Sequence, residues 1–371
     1  MYKKLIFIGL VLFITVLGAQ EQVRYAGFCF SGNYSDIPDS YRYTNQLMSR
    51  ENKNGLKLLE QEFFQYFNQN SEFGNFKLVF SDADTKYAMA FTMIRENVDI
   101  EHLSDITKLI YNLGFSLYIL DFDEMRVLQS YPIKVAYLDI VKGNLKTNSD
   151  AVTDMIVDTI HSLMQQQVMK NLSTRIPDIN LQQSGTLSMK VSEVIFSDQA
   201  REVISSFPGG EAAYANLIAN QATESLAFDL NVSMLPFSKD YTGQKMSLAF
   251  SDATVQNFVI PPASYDLKIT IDKFYKALNS EKGNEQLYIY GAYTNVSLFD
   301  SDLGDVYWDQ EVKHGATKYA IKGQVVDDFA NYNEVLLATV SQTLVESLAK
   351  DKKLMRDKKG KKGVIRRCQN F

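Results

Sequence analysis

Histidine, cysteine, tryptophan and proline are scarce in this chain: among 371 residues there are three His, two Cys, one Trp and seven Pro. His102, His161 and His314 stand in unrelated positions. No two have the spacing at which a helix offers two imidazoles to one metal, so a histidine-held zinc centre is not expected. The GxSxG elbow, HExxH pair, CxxC pair, Walker loop and GxGxxG turn are all missing. Their absence argues against nucleophile-elbow hydrolysis, zinc catalysis and nucleotide-driven work. No catalytic, cofactor-binding or metal-binding residue is assigned, and no cofactor is expected. Two cysteines cannot form a disulfide framework. Cys29, inside the apolar run YAGFCF, reads as a buried thiol, and a bridge to Cys368 would need an oxidising compartment.

Long apolar runs are confined to the first nineteen residues, MYKKLIFIGLVLFITVLGA. Lys3 and Lys4 precede a run from Leu5 to Leu17 that ends in small residues, which is the layout of a secretory signal peptide. The run is shorter than the roughly 20 residues needed to span a bilayer. Cleavage after Ala19, or after Gly18, is expected, and no Cys follows to carry a lipid. The mature chain then belongs in the periplasm or at the outer envelope, soluble or peripheral.

The whole chain is 46% hydrophobic and 22% charged, enough apolar material for a sizeable core and for two domains. The net charge of -6 hides an asymmetry. Lys350 to Arg367 holds ten Lys or Arg and two Asp, a local +8, which leaves -14 for the rest. An acidic body argues against nucleic acid as a partner. The basic tail offers contact with anionic membrane or lipopolysaccharide, set against an ordinary solvated terminus.

Internal repetition is the most informative feature. LVFSDAD at Leu78–Asp84 returns as LAFSDAT at Leu248–Thr254, and LYI at Leu117–Ile119 returns at Leu287–Ile289, each 170 positions on (287 less 117). YAMAFTM from Tyr87 matches YDLKITI from Tyr265 at a displacement of 178. Each half opens with a strand-like run, Val23–Ser31 and Leu187–Ser197. A helix follows, carried by Leu56, Leu59, Phe63 and Phe67 in the first half, and by Tyr214, Leu217, Ile218 and Leu226 in the second. In GFSLYILDFDEMRVLQSYPIKVAYL, Val127, Tyr131, Ile133, Val135 and Tyr137 alternate onto one face. Leu128, Ala136 and Leu138 fall on the other, with Asp121–Met125 as the turn. Phe299–Trp308 is the second half's counterpart. Closing amphipathic helices run through Val152, Met155, Ile156, Ile160 and Leu163, capped at Ser149 or Asp150, and through Leu336, Leu337, Val340, Leu344 and Leu348.

The expected organisation is a signal peptide (1–19), a first α/β repeat domain (20–172), a linker (173–186), a second α/β repeat domain (187–350) and a basic tail (351–371). The expected fold class is α+β, with two duplicated β-α-β-β-β-α domains, each a mixed sheet covered by helices.

VRYAGFCFS, NGLKLLEQEFFQYF, FKLVFSDAD, a helical LSDITKLIYNLGF and the hairpin SLYILDFDEMRVLQSYPI together resemble the small envelope domains of the CsgG-like and TolB N-terminal-like group. Members are commonly lipoproteins in secretion, transport or assembly. The lipid-bearing Cys and pore-forming hairpins have no counterpart here, so what the resemblance implies is a non-catalytic envelope adaptor whose partner is another envelope protein. It would present a sheet edge and the groove between domains.

Two other readings stay open. A carboxylate-dependent hydrolase or glycan-acting enzyme would draw on Asp82, Asp252 and Asp300, and a binding module would hold carbohydrate or calcium. Asp300, Asp302 and Asp305 suit a solvated turn better than an EF-hand loop, where Gly304 occupies a ligand position. Asp82, Asp84 and Asp252 suit strand-end turns. Tyr288, Tyr290 and Tyr307 offer rings to a glycan, though tyrosines on strands more often cap a sheet core. The sequons at Asn33, Asn171, Asn231 and Asn295 matter only in a eukaryotic secretory route.

Overall fold

The computed structural model describes residues 21–369, apart from 33–36, 52–56, 71–75, 81–84, 104, 144, 147–148, 175–178, 180, 182–186, 206, 208–209, 238–244, 324–325 and 357–362. The leader, most of the linker, Asp82, Asp84 and Asn33 lie outside the described residues.

The first unit runs β1 (Glu21–Ser31), α1 (Ile37–Ser40), α2 (Arg42–Ser49), α3 (Leu58–Asn70), β2 (Phe76–Val79), β3 (Tyr87–Leu103), β4 (Ile106–Asp121), β5 (Arg126–Lys142) and α4 (Asp150–Leu163). A π turn (Met164–Val168) then leads into α5 (Met169–Ser173). Leu59, Phe63 and Phe67 of α3 are buried, as their spacing predicts. Ser149 caps α4 by accepting a hydrogen bond from the Val152 N–H, and Val152, Ile156, Ile160 and Leu163 face the core. On β5, Tyr131, Ile133 and Val135 are buried in the first core while Leu138 is 52% exposed, but the bulge at Leu128 reverses the expected faces before it: Val127 turns to the core it shares with Tyr118 and Leu120, and Leu128 packs beside Tyr131.

The second unit runs β6 (Met189–Phe196), α6 (Asp198–Ile204), α7 (Gly210–Asp229), β7 (Lys245–Phe250), β8 (Val255–Val259), β9 (Tyr265–Lys282), β10 (Glu285–Asp300), β11 (Val306–Ile321) and α8 (Asp328–Ala338). A π turn (Thr339–Thr343), α9 (Leu344–Lys350), α10 (Lys352–Met355) and α11 (Val364–Arg367) complete it. The fold is α+β, with mixed sheets packed against helices.

Register shows how closely the units correspond. The turn aspartates Asp121 and Asp300 stand 300 − 121 = 179 positions apart, and each accepts the N–H groups of the residues two and three further on. Three β-bulges recur at matching places. Ala26 and Ser192 are skipped where the opening strands pair with β3 and β9. Ile94 and Asp272 are skipped in the next ladder, and Leu128 and Tyr307 in the last. A bulge is a specific local choice, so three in the same places give the two sheets closely matching register.

Two expectations are corrected by this register. LSDITKLIYNLGF is not helical: Ile106–Asp121 is one continuous strand paired along its length with β3 and β5. Ile106, Ile110 and Leu113 have a spacing that also suits a helix, and the two neighbouring strands override it. The LYI match is out of register. Leu117 pairs with Phe91 and Tyr131, whereas Leu287 pairs with Ser280 and Tyr319.

The first sheet has the order β2-β1-β3-β4-β5-β8-β7, and β7 returns to pair with β1 through Cys29–Ser31, so the sheet closes on itself. The hairpin β7–β8 comes from the second half of the chain. Its side chains Met246, Leu248 and Phe258 share a small core with Cys29, Tyr118 and Val127. The second sheet, β11-β10-β9-β6, stays open. The tail differs from a solvated terminus where it is described: Val364, Ile365 and Cys368 are buried in the second unit's core, and the Ser233 N–H donates to the Cys368 carbonyl at 2.7 Å. Cys29 and Cys368 lie in different cores and are both free.

Candidate interaction surface

The two units meet where α7 crosses the outer face of the first sheet. On this face Arg95, Gly114 and Lys134 form one row across β3, β4 and β5. Arg95 donates to Gln221 Oε1 at 2.5 Å and to Glu224 Oε2 at 2.6 Å. Lys134 donates to Asp229 Oδ2 at 2.9 Å and to Ser225 Oγ at 3.4 Å, and its ammonium lies 5.6 Å from the centre of the Phe228 ring. Glu224 is fully buried, and its Oε1 has no hydrogen-bond partner. Gly114 is what admits it: a Cβ there would stand 2.5 Å from that oxygen. Burial pushes the Glu224 carboxyl up to about 7, against the opposing pull of Arg95 and Lys134. The other side of α7, with Tyr214, Ile218, Ala222 and Leu226, belongs to the second core. The chain is therefore a stack of helices, sheet, helices and sheet.

The far end of this stack is open. Helices cover the inner face of the second sheet through Lys276–Asp328, Lys318–Glu334 and His314–Thr343. Its outer face repeats the junction row with different residues. Lys273, Tyr293 and Lys313 pair across β9, β10 and β11, at the register positions held by Arg95, Gly114 and Lys134 in the first sheet. Both ammonium groups lie against the Tyr293 ring, at 4.9 Å for Lys273 and 5.6 Å for Lys313. Lys313 also meets Glu311 at 3.2 Å, in a pair more than half exposed on both sides. In the next row Gly291 stands between Tyr275 and Gly315; Gly291 is buried with the Tyr293 ring beside it, and Gly315 is exposed. Tyr275 is 48% and Tyr319 79% exposed. Among the described residues, β11 pairs with β10 alone.

Two cavities lie elsewhere. A groove of about 640 Å³ between the units is lined by Tyr41, Arg95, Glu96 and Tyr118 on one side and by Asn216 and Lys245 on the other. A second, of about 540 Å³, lies beside the closing hairpin and brings Phe80 and Phe250 of the two FSDA copies together. Ser251 hydrogen-bonds Glu60 at its rim. Asp252 also lines it, but Asp252 Oδ1 accepts from the Thr254 N–H and hydroxyl, closing the turn between β7 and β8. Asp300 caps the β10–β11 turn in the other sheet. The described carboxylates named for acid–base work thus serve turns and are not gathered in one pocket.

Among the described residues, no group of three His, Cys, Asp or Glu side chains could hold a metal ion. His161 meets Glu62 at 2.6 Å, and His102 meets Thr107 at 3.1 Å. The glycan reading of the tyrosines needs correcting at Tyr290, which is buried and donates to Asp328 at 2.6 Å. Tyr288 lies on the same inner face and packs on the second core, and Tyr307 meets Tyr265 edge-on. Sequence reasoning missed the junction. Its one visible signal was Glu224, a lone carboxylate within the otherwise small and apolar stretch Ala222–Ala227.

No protein-family model matches the chain, and no curated protein matches it. Partial overlays exist with solved structures. A minor lipoprotein from Acinetobacter baumannii aligns at 9% identity over 43% of this chain and 92% of its own, with a TM-score of 0.23. The rare lipoprotein B from Shewanella oneidensis aligns at 15% identity over 42% and 90%, with a TM-score of 0.21. A protein from Xanthomonas campestris aligns at 11% identity over 44% and 81%, with a TM-score of 0.23. Overlays this loose carry nothing about ligand or partner. No helix of the described residues is long and apolar enough to cross a membrane.

Proposed function

We propose that this is an exported, non-catalytic protein of the cell envelope that works by holding another envelope protein against its second sheet. The observation that carries the reading is the open end of the stack. The first sheet has its outer face crossed by α7, and β5 and β1 are joined through β8 and β7, which leaves the four-residue β2 as its edge. The second sheet keeps an exposed outer face, with Tyr275 and Tyr319 on it, and a 16-residue edge strand with one neighbour. Exposed aromatic side chains and an unpaired strand edge are what partner proteins use, through packing and through strand addition. The leader-like first nineteen residues support placement outside the cytoplasm.

The test is chemical crosslinking of the tagged chain in intact envelopes, with crosslinked peptides assigned by mass spectrometry. The expected result is one reproducible partner with links concentrated on 265–321. A chain recovered alone, or links confined to the first unit, would contradict the proposal.

A further inference from the structure

The row Lys273–Tyr293–Lys313 occupies the register of a row whose occupant is visible elsewhere in the same molecule. Arg95 and Lys134 stand one on each side of β4, two strand spacings apart, about 9.6 Å. They are bridged by one helix that sets Glu224 on the first cation and Asp229 on the second. Five residues of helix advance about 7.5 Å, and the reach of the two side chains covers the difference. Lys273 and Lys313 flank β10 in the same way, with no carboxylate from a second element on either of them in the interactions described.

We propose that the outer face of the second sheet docks an acidic amphipathic helix of a partner protein. The helix would carry two carboxylates four or five residues apart, one for each lysine, with an apolar side chain between them. The inference rests on the adaptor reading above and names the chemistry of its partner. The difference between the rows shapes the fit. Gly114 lets Glu224 sit down on the first sheet, whereas Tyr293 fills the matching position in the second, so the incoming helix rides higher there. The apolar contact lies one row further on, where Gly315 is exposed and Tyr275 is 48% exposed. Gly291 between them is buried, with the Tyr293 ring and the His314 carbonyl each 3.6 Å from where its Cβ would stand, so a partner's leucine or methionine would lie on Tyr275 and Gly315 rather than sink between the strands. The incoming carboxylates would compete with Glu311 for Lys313 and with neighbouring Asp272 for Lys273, and a helix without carboxylates would gain only the apolar contact.

The experiment uses the purified mature chain and three capped synthetic helical peptides. One has two Glu four residues apart with a Leu between them, and the others have both Glu replaced by Gln or by Lys. Fluorescence anisotropy gives each affinity. The Glu peptide is expected to bind about tenfold or more tightly than the Gln peptide, the worth of two partly screened ion pairs. In the double variant K273E/K313E the order should reverse in favour of the Lys peptide. Both lysines are surface residues, and circular dichroism and the thermal midpoint confirm that the variant folds.

Equal binding of the three peptides, or binding of the Glu peptide unchanged by K273E/K313E, would overturn the proposal. So would self-association of the pure chain, or binding to anionic phospholipid vesicles, that disappears in the same variant, since either assigns the face to a different occupant. Envelope crosslinks to the β11 edge, together with a failed peptide series, would remove this inference and leave the adaptor reading standing.

Discussion

Glu224 and Gly114 show how single residues join the two units. A fully buried carboxylate is tolerated because Arg95 donates to it at 2.6 Å and Gly114 leaves room for it. Glu224→Ala strands the Arg95 guanidinium in the junction and is expected to cost about 3–5 kcal/mol in urea unfolding. Gly114→Ala drives a methyl group against Glu224 Oε1 and is expected to cost about 1–3 kcal/mol in the same assay. The pH dependence follows from the direction of the shift. The carboxyl titrates at about 7 in the folded chain, against an ordinary 4.5, so between these values the folded state holds a proton that the unfolded state has released. The contribution of Glu224 is therefore fully present below about 4.5, falls as pH rises, and levels off above about 7. Thermal midpoints of the parent and Glu224→Gln, compared across that range, should converge at low pH and separate in favour of Gln at high pH. At the thiols, burial pushes both Cys29 and Cys368 up to about 12. Neither should react with Ellman's reagent at pH 8 until the chain is unfolded.

At the level of elements, the sequence showed most where one segment suffices. The faces of β5 beyond its bulge, the cap at Ser149 and the buried stripes of α3 and α4 were legible, because each is fixed by side-chain period and local hydrogen bonding, whereas Val127 and Leu128 before the bulge sit on the faces opposite to those expected. β4 was not, since its apolar spacing near Ile106–Leu113 suits either period and its pairing with β3 and β5 decides. The three matching bulges left no mark in composition, for a bulge is a relation between two strands. The junction was hidden for the same reason: Arg95 and Glu224 are far apart in the chain and meet only through the fold. The hairpin β7–β8 repeats an FSDA sequence, yet it completes the first sheet rather than the second, a destination that local pattern does not encode. This leads to an expectation for truncation. A fragment spanning 20–186 lacks β7 and β8, exposing the edge of β1 at Cys29–Ser31 and the apolar side chains Tyr118 and Val127. It should show neither a cooperative unfolding transition nor sharp amide resonances, whereas the full chain should unfold in one transition. A cooperative, monomeric fragment would show that the first unit is self-sufficient.

The whole molecule is a stack with unlike ends. Its first sheet has a helix layer on each face, and its second sheet has a helix layer on one face only. Acidic residues dominate the body, while the outer face of the second sheet presents Lys273 and Lys313 against the Tyr293 ring, two cations placed to meet carboxylates of a partner. The most direct test places a photocrosslinking phenylalanine analogue at Tyr275 or Tyr319, and at Ala151 on the exposed side of α4 as the control, and irradiates living cells. The predicted result is a discrete adduct with the same envelope protein from both tyrosine positions and none from position 151. No adduct from Tyr275 or Tyr319, or equal adducts from all three positions, would contradict the claim that the second sheet is the working surface.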